Sequence, residues 1–369
     1  MKILYVTRKH PPSVGGMQTQ SLEFFRSVSG KEEVRIISWG GSQVFLPLFM
    51  VFAFCRSAKL LARREADLVQ LGDIVLSPLG LVLKKLFKRP VCAVSHGKDS
   101  AYGNFIYDTA VLGTAKKLDR IFCVSAYIKE RLAAKGFDPR ILEVIPNGID
   151  TGSGDRRDME KSRAEKMIKN SFGVDLAGKK VVLSVCRLVP KKGLKEFVRY
   201  IFPDIAERVG EAVLLIAGAG PEKNAVEKAS LKAGLKDRTF FTGKVAHSSP
   251  EYEALFSSAD VFVMPNVAVR GDAEGFGIVA LEAGLRGVPV VAFDVDGISQ
   301  AVHDGENGIL VKEGDREAFA ENIVSVLRGG GRGTGPLRGA RGYVSSRFSW
   351  DRISDVYIES YRRLIEDKG

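Results

Sequence analysis

The sequence predicts an α/β protein with two domains, and three observations support this fold class. Short apolar strand patterns alternate with helical patterns along the chain, which is typical of parallel α/β folds. The chain has 369 residues, more than one hydrophobic core usually supports. A polar stretch at 150–170 interrupts the alternation, which starts again at Lys180. This break predicts a linker between two domains with parallel sheets.

Each half of the chain is predicted to contribute six strands, because apolar runs of strand length recur on both sides of the break. In the first half the strands are expected at Ile3–Thr7, Val34–Ser38, Leu68–Gln70, Val91–Ser95, Arg120–Val124 and Glu143–Ile145. In the second half they are expected at Lys180–Cys186, Ala212–Ala217, Thr239–Thr242, Val261–Met264, Pro289–Phe293 and Gly308–Val311.

Helices are predicted between these strands and at the end of the chain. The helical patterns lie at Ser125–Lys135, Gly193–Ile201, Pro221–Ala233 and Arg316–Leu327. Apolar residues at helical spacing in Trp350–Ile365 predict a terminal amphipathic helix. We therefore predict an N-terminal domain at 1–170, completed by the helix at 350–369, and a C-terminal domain at 171–349.

Composition and charge narrow the class of protein. The cysteines include no CxxC pair, so zinc and redox motifs are unsupported, and each is expected to be a small buried core residue: Cys55, Cys92, Cys123 and Cys186.

A net charge of +11 indicates an anionic partner. Nucleic acid, an acidic lipid surface and phosphorylated substrates all qualify. The chain has no zinc-finger spacing and no RNP1-like motif, which makes nucleic acid the weakest of the three.

No secretory leader and no spanning helix are expected. Met1 runs directly into KILYVT, an apolar strand pattern. The longest apolar run, Val44–Cys55, falls short of the roughly 20 residues that a spanning helix needs. We therefore expect a cytoplasmic protein in a reducing compartment.

The segment Glu274–Ala283, EGFGIVALEA, predicts an anion-binding site. Its two glycines start a helix, and they let the backbone approach a ligand closely. The unpaired amides of a first helical turn and the positive end of the helix dipole together suit a diphosphate. Glu274 and Glu282 are placed to accept hydrogen bonds from sugar or ribose hydroxyls. Taken alone, the segment could equally be an ordinary glycine-started helix with two solvated glutamates.

Basic residues follow a strand in the same half. Arg187 ends the run VVLSVC, and Lys191, Lys192 and Gly193 follow at a turn before another helix. Open α/β sheets bind ligands at the carboxyl ends of their strands, where Arg187 and Lys192 could neutralise a leaving diphosphate. Basic residues in a turn are otherwise simply solvated. A further glycine turn, Ala217–Pro221, is either a second phosphate loop or a tight connection.

Two loops in the first half are further candidates. Pro11–Gly16 follows the first strand and contains two glycines, although the dinucleotide fingerprint GxGxxG is absent. Ser95–Asp99 follows another apolar strand and places His96 at its carboxyl end. A lone histidine is more often structural, but this position favours a functional role.

These segments, in this order, resemble glycosyltransferase family 4 of the GT-B fold, whose members are retaining enzymes with two facing Rossmann-like domains and an interdomain cleft. The resemblance spans nearly the whole chain, and EGFGIVALEA is its most specific piece. The matching pieces are PPSVGG, HGKD, VSAYIKE, VIPNGID, SVCRLVPKKG, LLIAGAGPE, FTGKV, ADVFVMPN, EGFGIVALEAGLRGVPVVA and DGENGILV.

The resemblance implies a donor site in the C-terminal domain. Arg187 and Lys192 would hold the diphosphate, and Glu282 the ribose. Glu274 would hold the transferred sugar and distal phosphate together with four backbone amides, those of Gly275, Phe276, Gly277 and Ile278. The base would lie near the segment that contains Gly243 and Val245.

The resemblance also implies an acceptor side in the N-terminal domain. The amide of Gly16 would contact the diphosphate, and His96 would contact the sugar near the reacting carbon. Asn147 and Asp150 would shape the crossing between the domains. The implied catalytic residues are His96, Glu274, Arg187 and Lys192.

The sequence departs from the family pattern at Asp296–Gln300, DGISQ, where many relatives carry a Gly-Gly-x-Pro-Glu-like run. This removes a glutamate and weakens any transfer of donor preference. The second-domain motifs are similar to those of phosphatidylinositol mannosyltransferases and polysaccharide or lipopolysaccharide enzymes. They slightly favour a GDP-linked hexose such as mannose over a UDP-sugar.

The expected activity is hexosyl transfer without a cofactor or metal, because Arg187, Lys192 and a helix dipole can stabilise the leaving diphosphate. The expected acceptor is a lipid-linked glycan or an envelope polysaccharide. Phe45–Phe54 and its basic flank, together with Leu81–Arg89, suit docking on an anionic leaflet, although the first stretch could also be a buried helix. Two alternatives remain open, a nucleotide-sugar 2-epimerase of the same fold and a basic scaffold that binds nucleic acid.

Overall fold

The structure is a computed structural model, and it describes residues 1–12, 15–97, 107–152, 159–247, 249–329 and 339–367. The chain divides into two compact units. Unit 1 holds residues 1–150 and the segment from Arg347 onward, and unit 2 holds residues 151–346. Each unit contains one six-stranded sheet. The predicted fold class, α/β with two Rossmann-like domains, is confirmed.

The sheet of unit 1 is parallel, with strand order β2-β1-β3-β4-β5-β6. Its central strands are buried along their length, as expected for a parallel sheet covered by helices on both faces. The strands are β1 (Lys2–Thr7), β2 (Glu33–Ser38), β3 (Leu68–Leu71), β4 (Val91–Ser95), β5 (Arg120–Cys123) and β6 (Leu142–Val144).

The described helices of unit 1 lie mainly between these strands. They are α1 (Gly16–Ser29), α2 (Leu46–Ala62), α3 (Ser77–Phe87) and α4 (Ala126–Ala134). Short 3₁₀ turns occur at Gln43–Phe45, Ile74–Leu76 and Pro139–Ile141, and a π-helical turn at Asp108–Leu112 runs into a short α-helical turn at Gly113–Ala115.

The sheet of unit 2 is also parallel, with strand order β12-β11-β10-β7-β8-β9, so that β9 lies at one edge. The strands are β7 (Lys180–Val185), β8 (Ala212–Ala217), β9 (Thr239–Gly243), β10 (Val261–Met264), β11 (Val290–Asp294) and β12 (Ile309–Lys312). All twelve predicted strands are thereby confirmed, with ends that differ by one residue at most.

The helices of unit 2 are α5 (Lys161–Phe172), α6 (Leu194–Tyr200), α7 (Phe202–Arg208), α8 (Lys223–Lys232), α9 (Pro250–Ser258), α10 (Ile278–Leu285) and α11 (Arg316–Arg328), with 3₁₀ turns at Pro190–Lys192, Lys236–Arg238 and Ile298–Gln300. Helix α12 (Ala340–Phe348) leads back to unit 1, where the chain ends in α13 (Trp350–Glu366).

Helix α5 belongs to unit 2, whereas the sequence analysis placed 150–170 in the first domain. Lys161 binds both carboxylate oxygens of Asp260, at 2.7 and 2.8 Å, just before β10. The same carboxylate accepts a hydrogen bond from the amide of Val181 in β7. The charged start of α5 is therefore held by the core of the second sheet.

The terminal helix α13 packs on unit 1, in agreement with the amphipathic pattern of its sequence. Tyr361 is fully buried, and its hydroxyl donates to Gln70 Oε1 of β3 at 2.8 Å. Tyr357 makes edge-to-face contacts with Phe24 of α1 and Phe122 of β5. The last helix thus completes a core whose other members lie in the first 150 residues.

Helix α2 is exposed along much of its length, so it is not the buried helix that its apolar sequence also allowed. It buries Phe49, Ala53, Ser57 and Leu61, which share one face at i, i+4 spacing. The prediction that every cysteine is buried is confirmed for Cys92 and Cys123, whereas Cys186 is half-buried. It is wrong for Cys55, because this residue lies on the solvent face of α2. Across the described ranges, no helix is both long and apolar enough to span a bilayer.

Candidate functional site

A buried ion pair lies beyond the carboxyl end of β7. Lys192 Nζ donates to Glu274 Oε2 at 2.5 Å, and the two side chains are only 13% and 17% exposed. Lys192 ends the 3₁₀ turn Pro190–Lys192, and Gly193 follows in a left-handed conformation with φ of 63°. A Cβ at Gly193 would lie 1.8 Å from the carbonyl oxygen of Pro265. Glycine is therefore required where the lysine turn approaches the loop after β10.

Other side chains hold Glu274 and its loop in place. Lys191 Nζ donates to Asp272 at 3.1 Å and to the carbonyl of Ala273 at 2.9 Å. Asp296 accepts a hydrogen bond from the amide of Glu274 at 2.8 Å. Asp296 itself has φ of 56°, a left-handed conformation that is uncommon for a residue other than glycine. The departure from the family pattern at Asp296–Gln300 thus places a carboxylate against the Glu274 loop.

The charges in this cluster stabilise one another. Burial alone would raise the pKa of Glu274, but Lys192 and Lys191 beside it hold this pKa below its usual value. Burial alone would lower the pKa of Lys192, but Glu274 holds it above its usual value, and Arg187 opposes this effect by repulsion. Both groups are therefore charged near neutral pH, which keeps a fixed ammonium at the strand edge.

Helix α10 begins directly after the Glu274 loop. Gly277 is its N-cap, with φ of 85° and no side-chain capping bond, and Ile278 is the first helical residue. Gly275, Phe276 and Gly277 are buried, and Ile278 is half-buried. This is the helix start that EGFGIVALEA predicts. A helix start of this kind favours an anion, because its first amides lack intrahelical partners.

Glu282 lies within α10 and is part of a second buried network. Its Oε1 accepts from His247 Nε2 at 2.6 Å, and its Oε2 accepts from the hydroxyl of Tyr252 at 2.6 Å. Burial alone would raise the pKa of Glu282, but the bonds from His247 and Tyr252 hold it below the usual value. Arg286 donates to the carbonyl of Glu282 and forms a bidentate pair with Glu253.

His247 and Tyr252 were not found by sequence reasoning. His247 follows the segment with Gly243 and Val245, where the nucleotide base was predicted, and Tyr252 lies in α9. Gly243 is the last residue of β9 and its carbonyl accepts from the amide of Gly218. The signal that could have identified His247 is its position shortly after a strand end, in the same half as Glu282.

The glycine turn after β8 is a tight connection to the segment that carries Arg187. A Cβ at Gly218 would lie 1.8 Å from the carbonyl oxygen of Cys186, and the amide of Leu188 donates to Ala219. Arg187 is exposed between these contacts. The turn therefore sets the path of the backbone that presents Arg187 next to Lys192.

The candidates of the first half lie at the carboxyl edge of the unit 1 sheet. His96 follows β4, is half-buried, and its Nε2 lies 3.1 Å from the carbonyl of Gly72. A cavity of about 20 Å³ is lined by His96 and Gly72, and by Asn147 of VIPNGID. Gly16 is the exposed first residue of α1, with open space where a Cβ would lie. Residues 13–14 and 98–99 of the predicted loops lie outside the described ranges.

Comparison with known proteins gives two family matches. Residues 14–153 match the profile of Glycosyltransferase Family 4, and residues 179–329 match the profile of Glycosyl transferases group 1. The chain is 28% identical to a GDP-mannose-dependent alpha-(1-6)-phosphatidylinositol monomannoside mannosyltransferase of Mycobacterium tuberculosis, over 96% of each chain. It is also 28% identical to a 2-deoxystreptamine glucosyltransferase of Streptomyces kanamyceticus, over 63% of this chain and 58% of that protein.

Two solved structures have a similar fold. HepE of Anabaena in complex with UDP superposes with a TM-score of 0.73 at 19% identity, covering 98% of this chain and all of that one. Sucrose-phosphate synthase of Thermosynechococcus elongatus superposes with a TM-score of 0.74 at 19% identity, covering all of both chains.

Proposed function

We propose that this chain, which belongs to the family 4, group 1 glycosyltransferases, transfers a hexosyl group from a nucleoside-diphosphate sugar to an acceptor hydroxyl with retention of configuration. One observation carries the proposal. The buried Lys192–Glu274 pair lies at a strand edge, immediately before the glycine-started helix α10. An ammonium, a helix start and a carboxylate are the groups that a sugar diphosphate needs.

Each member of the site has one role in the proposal. Lys192 and Arg187 neutralise the diphosphate, and the amides of Gly275–Ile278 bind its distal phosphate. Glu274 accepts hydrogen bonds from the sugar hydroxyls, and Glu282 accepts them from the ribose. Because His247 and Tyr252 already occupy both oxygens of Glu282, the ribose would use the remaining lone pairs. The contacts of Gly16 with the diphosphate and of His96 with the sugar stay predictions from the family resemblance.

The proposed reaction is a front-face displacement. The bond between the anomeric carbon and the diphosphate oxygen breaks, and the diphosphate leaves with the electron pair. The acceptor oxygen forms a bond to the same face of that carbon, and its proton passes to the departing diphosphate. Lys192 and Arg187 stabilise the charge that develops, without an enzymic nucleophile or a metal. Trapping of a covalent sugar–enzyme adduct, or loss of activity in EDTA, would contradict this mechanism.

A GDP-linked hexose is the proposed donor. The support comes from the similarity to mannosyltransferases that are described as GDP-mannose-dependent and match along nearly the full chain. A thermal-shift panel of GDP- and UDP-linked mannose, glucose and galactose tests the choice, since a bound donor raises the melting temperature. A rise in melting temperature with UDP-sugars and not with GDP-sugars would show that the donor is UDP-linked. Incubation with donor alone distinguishes a transferase from a 2-epimerase, which would convert the sugar.

The proposed acceptor is a lipid-linked glycan or an envelope polysaccharide, reached from the cytoplasmic face of a membrane. An α2–α3 surface supports this proposal, because its apolar side chains are 46–80% exposed: Val44, Phe45, Leu48, Val51, Phe52, Val82 and Leu86. The exposed cations Arg56, Lys59 and Lys85 lie on the same two helices. Apolar groups flanked by cations bind the interface of an anionic leaflet.

Vesicle flotation tests the membrane part. We expect the wild type to float with anionic vesicles more than with neutral ones, and a Leu48→Ser/Phe52→Ser variant to lose this binding. A Leu231→Ser variant, which removes an exposed leucine from unit 2, is the matched control. Equal recovery with both vesicle types, or an equal loss in the control, would contradict membrane docking while leaving the transferase proposal intact.

A further inference from the structure

A basic groove lies between helices α6 and α8 of unit 2. It has a volume of about 530 Å³, within the range of roughly 300–1,000 Å³ that is usual for small-molecule sites. Lys195 and Arg199 of α6 form one wall, and Lys228 and Lys232 of α8 form the other. The floor consists of small residues that leave the groove open: Ala225, Ala229 and Ala233.

Positive charge is concentrated in this groove without a carboxylate among its lining residues. Each wall carries two cations at i and i+4, an arrangement that destabilises a helix through repulsion. Among the four cations, Lys195 lies 3.6 Å from Glu196. Glu227, one residue before Lys228, is paired with Lys223 and does not line this groove. Arg199 is ordered by a cation–π contact with Tyr200. An anionic ligand would relieve the repulsion that the fold tolerates here.

A second groove on the other side of α8 shares Lys228 with the first. It has a volume of about 510 Å³ and is also lined by Lys236, Phe241, Ser230 and Thr239, and by one carboxylate, that of Glu227, which is paired with Lys223. Ser230 and Thr239 are more than nine-tenths buried, and their hydroxyls have no hydrogen-bond partner in the described part of the chain. A buried hydroxyl without a partner costs free energy, which a ligand hydroxyl would recover.

These two grooves are distinct from the candidate donor site. Thr239 is the first residue of β9, whereas Gly243, near the predicted base position, is the last. They are four residue steps apart along the strand, a distance of about 13 Å. The candidate donor-site residues follow the carboxyl ends of the strands. The second groove, which includes the first residue of β9, therefore lies toward the amino-terminal ends of the same strands.

We propose that this α8 surface binds an acidic oligosaccharide, with no part in the bond exchange. Carboxylate or phosphate groups of the glycan pair with Lys228, Lys232 and Arg199. Sugar hydroxyls bond to Ser230 and Thr239, and a sugar face packs on the ring of Phe241. A concave surface with hydroxyl partners fits a glycan better than a flat lipid headgroup layer. The proposal does not depend on the identity of the donor.

The test compares three probes by calorimetry at low ionic strength: an acidic hexasaccharide of galacturonic acid, neutral maltohexaose and a linear polyphosphate. We expect the wild type to bind the acidic hexasaccharide more tightly than either other probe. Lys228→Glu/Lys232→Glu should weaken this binding by about ten-fold or more, because each lost pair is a charge-assisted one. Arg163→Glu/Lys166→Glu, with the same charge change on exposed residues of α5, is the matched control.

A second variant separates a glycan site from a general cation patch. Ser230→Ala removes an unpaired buried hydroxyl, so it should leave the melting temperature unchanged or higher. It should also lower the affinity for the acidic hexasaccharide by about three-fold and leave polyphosphate binding unchanged. Equal weakening by the α8 and α5 charge reversals would overturn the proposal, as would polyphosphate binding as tight as that of the glycan. Donor-induced stabilisation should persist in every variant, and this readout keeps the transferase proposal separate.

Discussion

The carboxyl edges of the two sheets differ in how their candidate residues are held. In unit 2 the edge carries a buried ion pair, Lys192–Glu274, fixed further by Lys191 and Asp296. In unit 1 the edge carries Gly16, which is exposed, and His96, which lies 3.1 Å from one backbone carbonyl. The candidate residues at the unit 2 edge are electrostatically preorganised by neighbouring side chains. The unit 1 edge also holds an ion pair, Arg8–Asp73 at 2.8 Å, but neither residue is one of the candidates. Among the candidate residues, those of unit 2 hold charge in place in advance of a ligand, as a diphosphate site requires.

Lys192→Met removes the charge on which the difference between the two edges depends. The substitution keeps the length of the side chain but removes its charge, so the leaving diphosphate loses its buried cation. We expect kcat to fall by about 10²–10³. Lys179→Met, which changes an exposed lysine of the same unit, is the control and should retain activity. A Lys192→Met enzyme with near-normal kcat would show that the preorganised pair is structural only.

Glu282→Gln tests the second buried network of unit 2. The glutamine keeps the shape of the side chain but weakens the hydrogen bonds that a carboxylate would make to the ribose. We expect the KM for the donor to rise by about 10- to 100-fold with a smaller change in kcat. Glu253→Gln, which alters the neighbouring pair with Arg286, reports on the packing of this network without touching the donor. An equal rise in KM in both variants would assign Glu282 to packing.

His96→Ala tests the less constrained edge in unit 1. Loss of one hydrogen bond to the sugar should lower kcat by about 3- to 10-fold. The thermal shift caused by the donor should persist, because the charged residues of unit 2 are intact. His303→Ala in unit 2 is the matched control for loss of an imidazole. Abolished donor binding in His96→Ala would show that the donor site depends on unit 1 as strongly as on unit 2.

The smallest expected effect is on the pH dependence of stability. The pKa of Glu274 is lower in the folded chain than its usual value of 4.5, so its contribution to stability is complete above that pH. That contribution is lost as the pH falls below 4.5 and Glu274 takes up a proton. Glu274→Gln should therefore reduce the slope of unfolding free energy against pH, by at most about 1.4 kcal/mol per pH unit.

Chemical denaturation at several acidic pH values measures this slope. Glu317→Gln, at an exposed position of α11, controls for the replacement of a carboxylate by an amide. The same acid limb in the wild type and in Glu274→Gln would mean that the Lys192–Glu274 pair does not contribute to the fold. That outcome would remove the contrast between the two strand edges.

The strands and the helix start were predictable because both depend on local pattern. All twelve strands follow from apolar runs, and the start of α10 follows from two glycines before a run of helix formers. Asp296, His247 and Tyr252 were not predicted as members of the site. Their contacts with Glu274 and Glu282 join residues 22 to 35 positions apart, and sequence spacing does not report such contacts.

The sequence by itself determined the α/β class, the order of the strands along the chain and the chemical types of the site residues. Only the tertiary structure decided which of these residues meet. Lys192 and Glu274 lie 82 positions apart, and Tyr361 reaches Gln70 across 291 positions. The same holds for burial, since Cys55 lies in an apolar run and is nevertheless exposed. Periodicity fixes the faces of an element, but the partner that covers a face is set by packing between distant segments.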